Sequence, residues 1–285
     1  MFELDSRYIV ETDWLAQHLQ APELIIVDGS LHLPAEQRDP KAEFAMRHIP
    51  GAVFFDIEDI ADQSSRLPHM LPSEAVFAAK MEEIGIGHNT AVVAYDNKGL
   101  FSAARVWWML RAMGHGNVAV LNGGLPKWRS DGYPVTDEMT AVGPKRQFTP
   151  RMNPALIRNI DDIKAIVQSG GAQIVDARAA ERFHGTVPEP RPGLRAGHMP
   201  GARNVPYTLL LNDNGTLKTS TEIRAAFEAA GIDIVQPAVA TCGSGVTACV
   251  LALALAMIGS PDTAVYDGSW VEWGDQNSGG DVIGR

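Results

Sequence analysis

The chain of 285 residues contains an internal repeat, and this repeat constrains its fold more than any other feature. Three segments of the first half recur in the second half: IIVDGS (25–30) as QIVDAR (173–178), HIPGAVFFD (48–56) as HMPGARNVP (198–206), and VAVLNGGLPKW (118–128) as TAVYDGSWVEW (263–273). The matches keep one order, with offsets of 145 to 150 residues. They predict a duplicated domain.

Each half alternates short apolar or β-branched runs with stretches of helical periodicity. This alternation predicts an α/β fold, in which a mainly parallel sheet is covered by helices. The stretch 137–158 contains three prolines and little periodicity, so it predicts a linker. We therefore expect an N-terminal domain over residues 1–145 and a C-terminal domain over residues 155–285.

Charge and cysteine content exclude several functional classes. The net charge is −10 and no Lys/Arg cluster is present, which argues against a nucleic-acid partner. The longest apolar stretch, residues 250–259, is far shorter than a bilayer-crossing helix. Two cysteines cannot build a disulfide framework or a CxxC metal pair. We expect a protein of the reducing cytoplasm, with no membrane contact, no metal and no cofactor.

The two halves differ at one strand-to-helix turn. Asp96 follows the apolar run AVVAY in the first half, and Cys242 follows AVAT in the second. Cys242 opens the Gly-rich loop CGSGVT, which leads directly into an apolar helical pattern. Such a loop can turn its backbone N–H groups inward to bind an anion, and the helix N-terminus adds partial positive charge.

A thiol in this loop is expected to ionise, which makes Cys242 a candidate nucleophile or sulfur carrier. The alternative is that Cys242 is a small core residue at a strand end. Cys249 lies within the apolar helical pattern, so we expect it to pack in the core. A cysteine-phosphatase loop would need arginine six residues after the cysteine, where Ala248 stands. The loop contains no cation, so it suits a small monoanion better than a dianion.

The segment 181–198 carries Arg182, Arg191 and Arg195 among prolines. Arginine is well shaped to bind a carboxylate through two parallel hydrogen bonds. From the residues alone these side chains are either carboxylate ligands or surface charges.

Other repeated residues have structural interpretations. His48 and His198 precede Pro-Gly pairs, which predict turns that lead into strands. Trp128 and Trp273 are expected to pack helices against the sheets.

The repeat, together with CGSGVTA at 242–248, resembles the tandem-domain rhodanese-like sulfurtransferases over about residues 10 to 275. The loop is similar to that of 3-mercaptopyruvate sulfurtransferases, whereas thiosulfate-using rhodaneses commonly have CRKGVT, with basic residues at the positions of Gly243 and Ser244. The resemblance implies an inactive N-terminal domain carrying Asp96, a catalytic C-terminal domain, and an active site at their interface.

The resemblance also implies roles for individual residues. Arg182 and Arg191 match arginines that bind the carboxylate and keto group of the donor, whereas Arg195 matches no such position and is interpreted as a surface charge. Ser244, His69 and Glu58 match a proton relay, in which Glu58 stands where the family often has Asp. The remaining expected substrate contacts are the loop residues Gly243, Gly245, Val246 and Thr247, and Arg105, which matches a position facing the cleft.

The expected activity is therefore 3-mercaptopyruvate sulfurtransfer through a Cys242 persulfide. Pyruvate is released, and a thiol such as thioredoxin or glutathione, or cyanide, accepts the sulfur. Two alternatives stay open at this point: thiosulfate:cyanide sulfurtransfer by the same cysteine, and a non-catalytic rhodanese-like binding module.

Overall fold

The computed structural model describes residues 2–4, 6, 8–260 and 262–284. Its chain divides into two compact units. The first unit comprises Met1–Gln63, Leu71–Asn153 and Asn212–Leu217, and the second comprises Ser64–Met70, Pro154–Leu211 and Lys218–Arg285. Each unit thus consists mainly of one half of the chain, interrupted by one short segment that clusters with the other unit.

The first unit contains a five-stranded parallel sheet. Its strands are β1 (Ile9–Val10), β2 (Leu24–Asp28), β3 (Ala52–Phe54), β4 (Ala91–Tyr95) and β5 (Val118–Leu121), in the order β1-β5-β4-β2-β3. Its helices are α1 (Thr12–His18), α2 (Pro40–Met46), α3 (Ile57–Ile60), α4 (Glu74–Glu83), α5 (Ala103–Ala112) and α6 (Gly124–Ser130).

The second unit repeats this arrangement. Its strands are β6 (Ile157–Arg158), β7 (Gln173–Asp176), β8 (Arg203–Asn204), β9 (Ala238–Thr241) and β10 (Ala264–Tyr266), in the order β6-β10-β9-β7-β8. Its helices are α7 (Ile160–Ser169), α8 (Ala180–Phe183), α9 (Ser220–Ala229), α10 (Ala248–Met257) and α11 (Ser269–Trp273). The equivalent strand orders confirm the duplication and the α/β fold class.

The central strands and the helices that follow them form the core of each unit. Every residue of β4 and of β9 is buried. Nearly all of α5 and of α10 is buried as well, which matches their apolar composition. Because the strands are parallel, each strand-to-helix turn lies at the carboxyl edge of its sheet. Asp96 and Cys242 therefore occupy equivalent places, each at the end of a central strand.

The two histidines before the Pro-Gly turns have the predicted structural role. His48 stacks on Phe44 with ring centroids 4.1 Å apart, and His198 stacks on Phe183 at 3.9 Å. Nδ1 of each histidine lies within hydrogen-bond distance of the carbonyl oxygen of the phenylalanine on which it stacks. Each histidine is thereby fixed in the framework of its own unit.

The two repeated tryptophans also act in packing. Trp128 and Trp273 are buried, and their indole N–H groups donate to the carbonyls of Pro134 and Asp281. Each tryptophan thus fixes the chain segment that follows the last helix of its unit. The expectation that they pack helices against the sheets is consistent with this burial.

Arg195 is not the surface charge that the sequence suggested. Its half-buried guanidinium donates to five acceptors at the end of α11 and in the segment after it, and its backbone N–H donates to Gly274 O at 2.9 Å. The five acceptors are the carbonyls of Trp273, Gly274, Asp275 and Gly280 and the hydroxyl of Ser278. Arg195 therefore organises this segment, because its planar fork reaches several carbonyls at once.

Replacing Arg195 by lysine tests this role. Lysine keeps the charge but cannot reach the same acceptors, so we expect the free energy of unfolding to fall by about 2 kcal/mol in urea titrations. Arg203→Lys is the matched control, because the side chain of exposed Arg203 makes one hydrogen bond among the described residues, at 3.5 Å to Ala230 O, and packs beside Gly231. Equal losses in the two variants would contradict the assignment.

Candidate active site

The loop Cys242–Thr247 connects the buried strand β9 to α10 at the carboxyl edge of the second sheet. Cys242 is 2% exposed, and Ser244 and Val246 are also buried. Gly245 has φ +78°, a left-handed conformation that favours glycine. The loop leads directly into the N-terminus of α10, as the sequence predicted, and its thiol is buried.

Backbone N–H groups in this loop are available to an anion. In the described part of the chain, the N–H groups of Ser244, Thr247 and Ala248 donate no hydrogen bond. N–H groups at a helix start carry the positive end of the helix dipole. A negative charge held at this place would therefore be stabilised by both effects.

The first unit shows what an equivalent loop does with an anion. The Asp96 carboxylate accepts from the N–H of Lys98 at 2.9 Å and from the N–H groups of Phe101, Ser102 and Ala103 at 2.8 Å each. The repeat aligns Asp96 with Cys242. In the first copy, the backbone N–H donors of this loop therefore bind the chain's own carboxylate.

Ser269 is a residue of the candidate site that was not predicted from the sequence. It is fully buried with φ +50°, and its Oγ accepts from the Cys242 N–H at 3.2 Å and donates to Tyr266 O at 2.8 Å. The next two residues of α11, Trp270 and Val271, donate their N–H groups to the carbonyls of Cys242 and Gly243. Ser269 and α11 thereby fix the backbone at the start of the loop Cys242–Thr247.

A signal for Ser269 was present in the repeat. The matched segments align Ser269 with Gly124, which has φ +54°. In the first unit Leu125 N–H donates to Asp96 O at 2.9 Å, just as Trp270 N–H donates to Cys242 O. In the copy that carries Cys242, serine therefore takes a left-handed conformation that favours glycine. A non-glycine residue held in such a conformation is a candidate for a functional role.

Arg182 lies against the loop. Its Nε and Nη2 donate to the Glu189 carboxylate at 3.3 and 2.5 Å. A Cβ added to Gly243 would lie 3.1 Å from Arg182 Nη2, so the guanidinium is packed on the backbone of Gly243. The structure thus brings the predicted carboxylate ligand next to the residue that follows Cys242. It also explains glycine at position 243, since a side chain there would press on Arg182.

Arg191 is half-buried in the same unit. Among the described residues it makes no hydrogen bond or ion pair. Its guanidinium is therefore available to a ligand, although its role in binding one stays a prediction.

Two members of the expected relay belong to the second unit and one to the first. His69 is 6% exposed with φ +63°, and it lies in Ser64–Met70, a segment that clusters with the second unit, which also holds Ser244. A strained histidine backbone is typical of functional sites. Glu58 lies in the first turn of α3 in the first unit and is exposed. The relay of Ser244, His69 and Glu58 stays a prediction.

Arg105 and Cys249 are both fully buried. The Arg105 guanidinium lies 4.4 Å above the Trp108 ring within α5 of the first unit, and its contact with substrate stays a prediction. Cys249 packs within α10, as expected, and its Sγ donates to Gly245 O at 3.2 Å. Both cysteines are free thiols. The described residues contain no cluster of three or more His, Cys, Asp or Glu suited to a metal ion.

Comparison with protein families places both halves of the chain. The rhodanese-like domain model matches residues 11–131 and 159–276. The chain belongs to the rhodanese family.

Several relatives of this rhodanese are similar over nearly their whole length. Human 3-mercaptopyruvate sulfurtransferase is 45% identical over 94% of this chain and 92% of its own. Bovine thiosulfate sulfurtransferase is 44% identical over the same shares. The crystal structure of SseA from Escherichia coli, a 3-mercaptopyruvate sulfurtransferase, superposes with a TM-score of 0.85 at 42% identity, covering 93% of this chain and 99% of that one.

Ser269→Ala tests the hydrogen bond between Ser269 Oγ and the Cys242 N–H. Alanine keeps the backbone strain of serine but removes the Oγ acceptor, which leaves the buried N–H of Cys242 without its partner. We expect the free energy of unfolding to fall by roughly 1–3 kcal/mol, the cost of an unpaired buried donor. We also expect alkylation of Cys242 by iodoacetamide near neutral pH to slow, because the thiol is held less firmly before the helix N-terminus. Ser220→Ala, at the exposed start of α9, is the control. An unchanged rate in Ser269→Ala would show that the hydroxyl does not position the cysteine.

Proposed function

We propose that this rhodanese is a 3-mercaptopyruvate sulfurtransferase that carries sulfur as a Cys242 persulfide. One observation supports this donor most strongly: the loop after Cys242 holds no cation, while Arg182 is packed on Gly243 beside it. A monoanionic donor that places its carboxylate on an arginine and its sulfur in the loop suits this arrangement. The similarity to 3-mercaptopyruvate sulfurtransferases over nearly the whole chain supports the same activity.

Donor binding is assigned to the two arginines. The carboxylate and keto group of 3-mercaptopyruvate bind Arg182 and Arg191, since a guanidinium presents paired N–H donors to a carboxylate. Arg182 offers the edge that Glu189 does not occupy, and Arg191 is free of other partners among the described residues. The loop Gly243–Thr247 completes the pocket for the donor's sulfur.

Sulfur transfer follows from this placement. The Cys242 thiolate attacks the donor sulfur, a bond between the two sulfur atoms forms, and the carbon–sulfur bond breaks. Its electron pair goes to carbon as a pyruvate enolate, which takes up a proton to give pyruvate. The relay of Ser244, His69 and Glu58 delivers this proton. The products are pyruvate and a Cys242 persulfide.

The persulfide anion occupies the place that the Asp96 carboxylate fills in the first copy. The N–H groups of Ser244, Thr247 and Ala248 supply preorganised hydrogen-bond donors for it. A second thiol, such as thioredoxin or glutathione, or cyanide, then attacks the outer sulfur and regenerates the Cys242 thiolate. No metal or organic cofactor takes part.

Two free thiols without a disulfide suit a reducing compartment, so we place the reaction in the cytoplasm. No helix in the described residues has the length and apolar character needed to cross a bilayer.

Thiosulfate sulfurtransfer is the second candidate. It is favoured by the 44% identity to bovine thiosulfate sulfurtransferase. The absence of a basic residue at Gly243 and Ser244 argues against it, because a dianionic donor would meet no charge in the loop. A non-catalytic binding module is disfavoured by the buried thiol and the unused N–H donors beside it.

Steady-state sulfur transfer to cyanide separates these functions. We expect kcat/KM for 3-mercaptopyruvate to exceed that for thiosulfate by at least about 100-fold, which corresponds to roughly 2.7 kcal/mol. Cys242→Ser is expected to abolish both activities, whereas Cys249→Ser is the matched control that keeps them. A comparable kcat/KM for the two donors would make thiosulfate sulfurtransfer the better description, and inactivity with both would favour the binding module.

Gly243→Ala tests the contact between the loop and Arg182. The new Cβ lies 3.1 Å from Arg182 Nη2, so the guanidinium must move away from its place on the loop. We expect KM for 3-mercaptopyruvate to rise about tenfold with kcat little changed, because ground-state binding of the donor carboxylate is weakened. Gly171→Ala is the control, since its Cβ meets only Ser169 Oγ, at 3.5 Å. A lowered kcat with an unchanged KM would contradict the assignment of Arg182 to binding.

A further inference from the structure

We propose that Glu189 is a positioning residue that orients Arg182 toward the sulfur donor. This inference deepens the proposed function and rests on it wherever mercaptopyruvate kinetics are measured. Glu189 lies in the Pro-rich segment after α8, where acidic side chains are normally solvated, yet its side chain is only 2% exposed. A buried carboxylate requires partners, and those of Glu189 are two arginines.

The contacts of Glu189 leave one edge of the Arg182 guanidinium unused. Oε1 accepts from Arg182 Nε at 3.3 Å, and Oε2 accepts from Nη2 at 2.5 Å. This paired contact fixes the plane of the guanidinium as well as its place. The opposite edge of the guanidinium, formed by Nη1 and the second N–H of Nη2, does not contact Glu189. Nη2 is also the atom that would lie nearest to a Cβ added at Gly243. Glu189 therefore holds Arg182 with one edge directed along the catalytic loop.

Glu189 is itself anchored to the sheet. Its Oε1 accepts from Arg178 Nη1 at 2.9 Å, and Arg178 pairs through Nη2 with the Asp176 carboxylate at 2.7 Å. Asp176 is the last residue of β7. Arg178 also donates to Gly197 O at 2.8 Å and lies 4.1 Å above the Trp270 ring. The alternating charges of Asp176, Arg178, Glu189 and Arg182 thus form a ladder from the strand end to the loop.

This ladder has a consequence for donor binding. An unrestrained arginine has many rotamers, and a ligand that binds it must order them. Arg182 is already ordered by Glu189, so a donor carboxylate meets a preorganised pair of N–H groups. The competing possibility is that Glu189 only neutralises Arg182 and weakens the attraction for an anion. The two roles predict opposite changes in KM when the charge of Glu189 is removed.

The first test compares Glu189→Gln with Glu181→Gln. Both remove one carboxylate, but Glu181 is exposed in α8 and its side chain makes no hydrogen bond or ion pair among the described residues. In Glu189→Gln we expect KM for 3-mercaptopyruvate to rise about tenfold, as for the loss of one charge-assisted hydrogen bond, with kcat within about twofold. Glu181→Gln is expected to behave as the parent protein. An unchanged or lowered KM in Glu189→Gln would overturn the proposal.

A second readout does not depend on the donor. Iodoacetate and iodoacetamide both alkylate cysteine thiolates, and they differ in that one carries a carboxylate and the other an amide. Glu189→Gln is expected to lower the iodoacetate-to-iodoacetamide rate ratio about tenfold while the iodoacetamide rate stays constant. A constant ratio would overturn the role of Glu189 even in a protein that transfers sulfur from mercaptopyruvate. A lowered ratio in a protein inactive with mercaptopyruvate would uphold it and reject the proposed function instead.

A double-mutant cycle establishes that Glu189 acts through Arg182. In an Arg182→Met background, Glu189→Gln is expected to change KM by less than about twofold, since the side chain it orients is gone. An equal rise in both backgrounds would show that Glu189 acts elsewhere. If Glu189→Gln does not fold, Glu189→Asp replaces it in this test. It keeps the negative charge beside Arg178 but is one methylene too short to reach both arginines, and the same rise in KM is expected.

Discussion

The backbone of Cys242 is held on both sides by hydrogen bonds from the start of α11, and the chemistry of the loop depends on this contact. Ser269 Oγ accepts from its N–H, and Trp270 N–H donates to its carbonyl. With these groups fixed, the thiol leaves the end of β9 at a defined angle, and the N–H groups of Ser244, Thr247 and Ala248, which donate no hydrogen bond among the described residues, can serve an anion. The duplicated fold supplies the frame, since the first unit makes the same N–H to carbonyl contact at Asp96.

The two copies differ in the group that their equivalent strand-to-helix loops hold. In the first unit the Asp96 carboxylate accepts from four backbone N–H groups, so these donors are already used by the chain itself. In the second unit a thiol stands at the equivalent place, and in the proposed function the donors of its loop stabilise the charge of the persulfide. Electrostatic stabilisation of this kind is effective because the donors need no rearrangement when the charge appears.

Much of the fold and part of the site could be predicted from the sequence. The repeat predicted two equivalent parallel sheets, because matched strand and turn patterns imply matched topology. Cys242 could be chosen as a candidate nucleophile because it follows an apolar strand pattern and precedes two glycines and an apolar helical pattern. The contacts of Ser269, Glu189 and Arg195 were not predictable, since they join segments distant in sequence and depend on side-chain direction. Arg195 was misread for this reason, because a charged residue among prolines is usually solvated.

The persulfide is the central claim, and the mass of the Cys242 peptide after incubation with 3-mercaptopyruvate and no acceptor tests it most directly. The predicted result is a peptide heavier by one sulfur atom, with pyruvate released in equal amount and the added sulfur lost on treatment with cyanide or a thiol. An unmodified Cys242 peptide accompanied by continued release of pyruvate would contradict sulfur transfer through this cysteine.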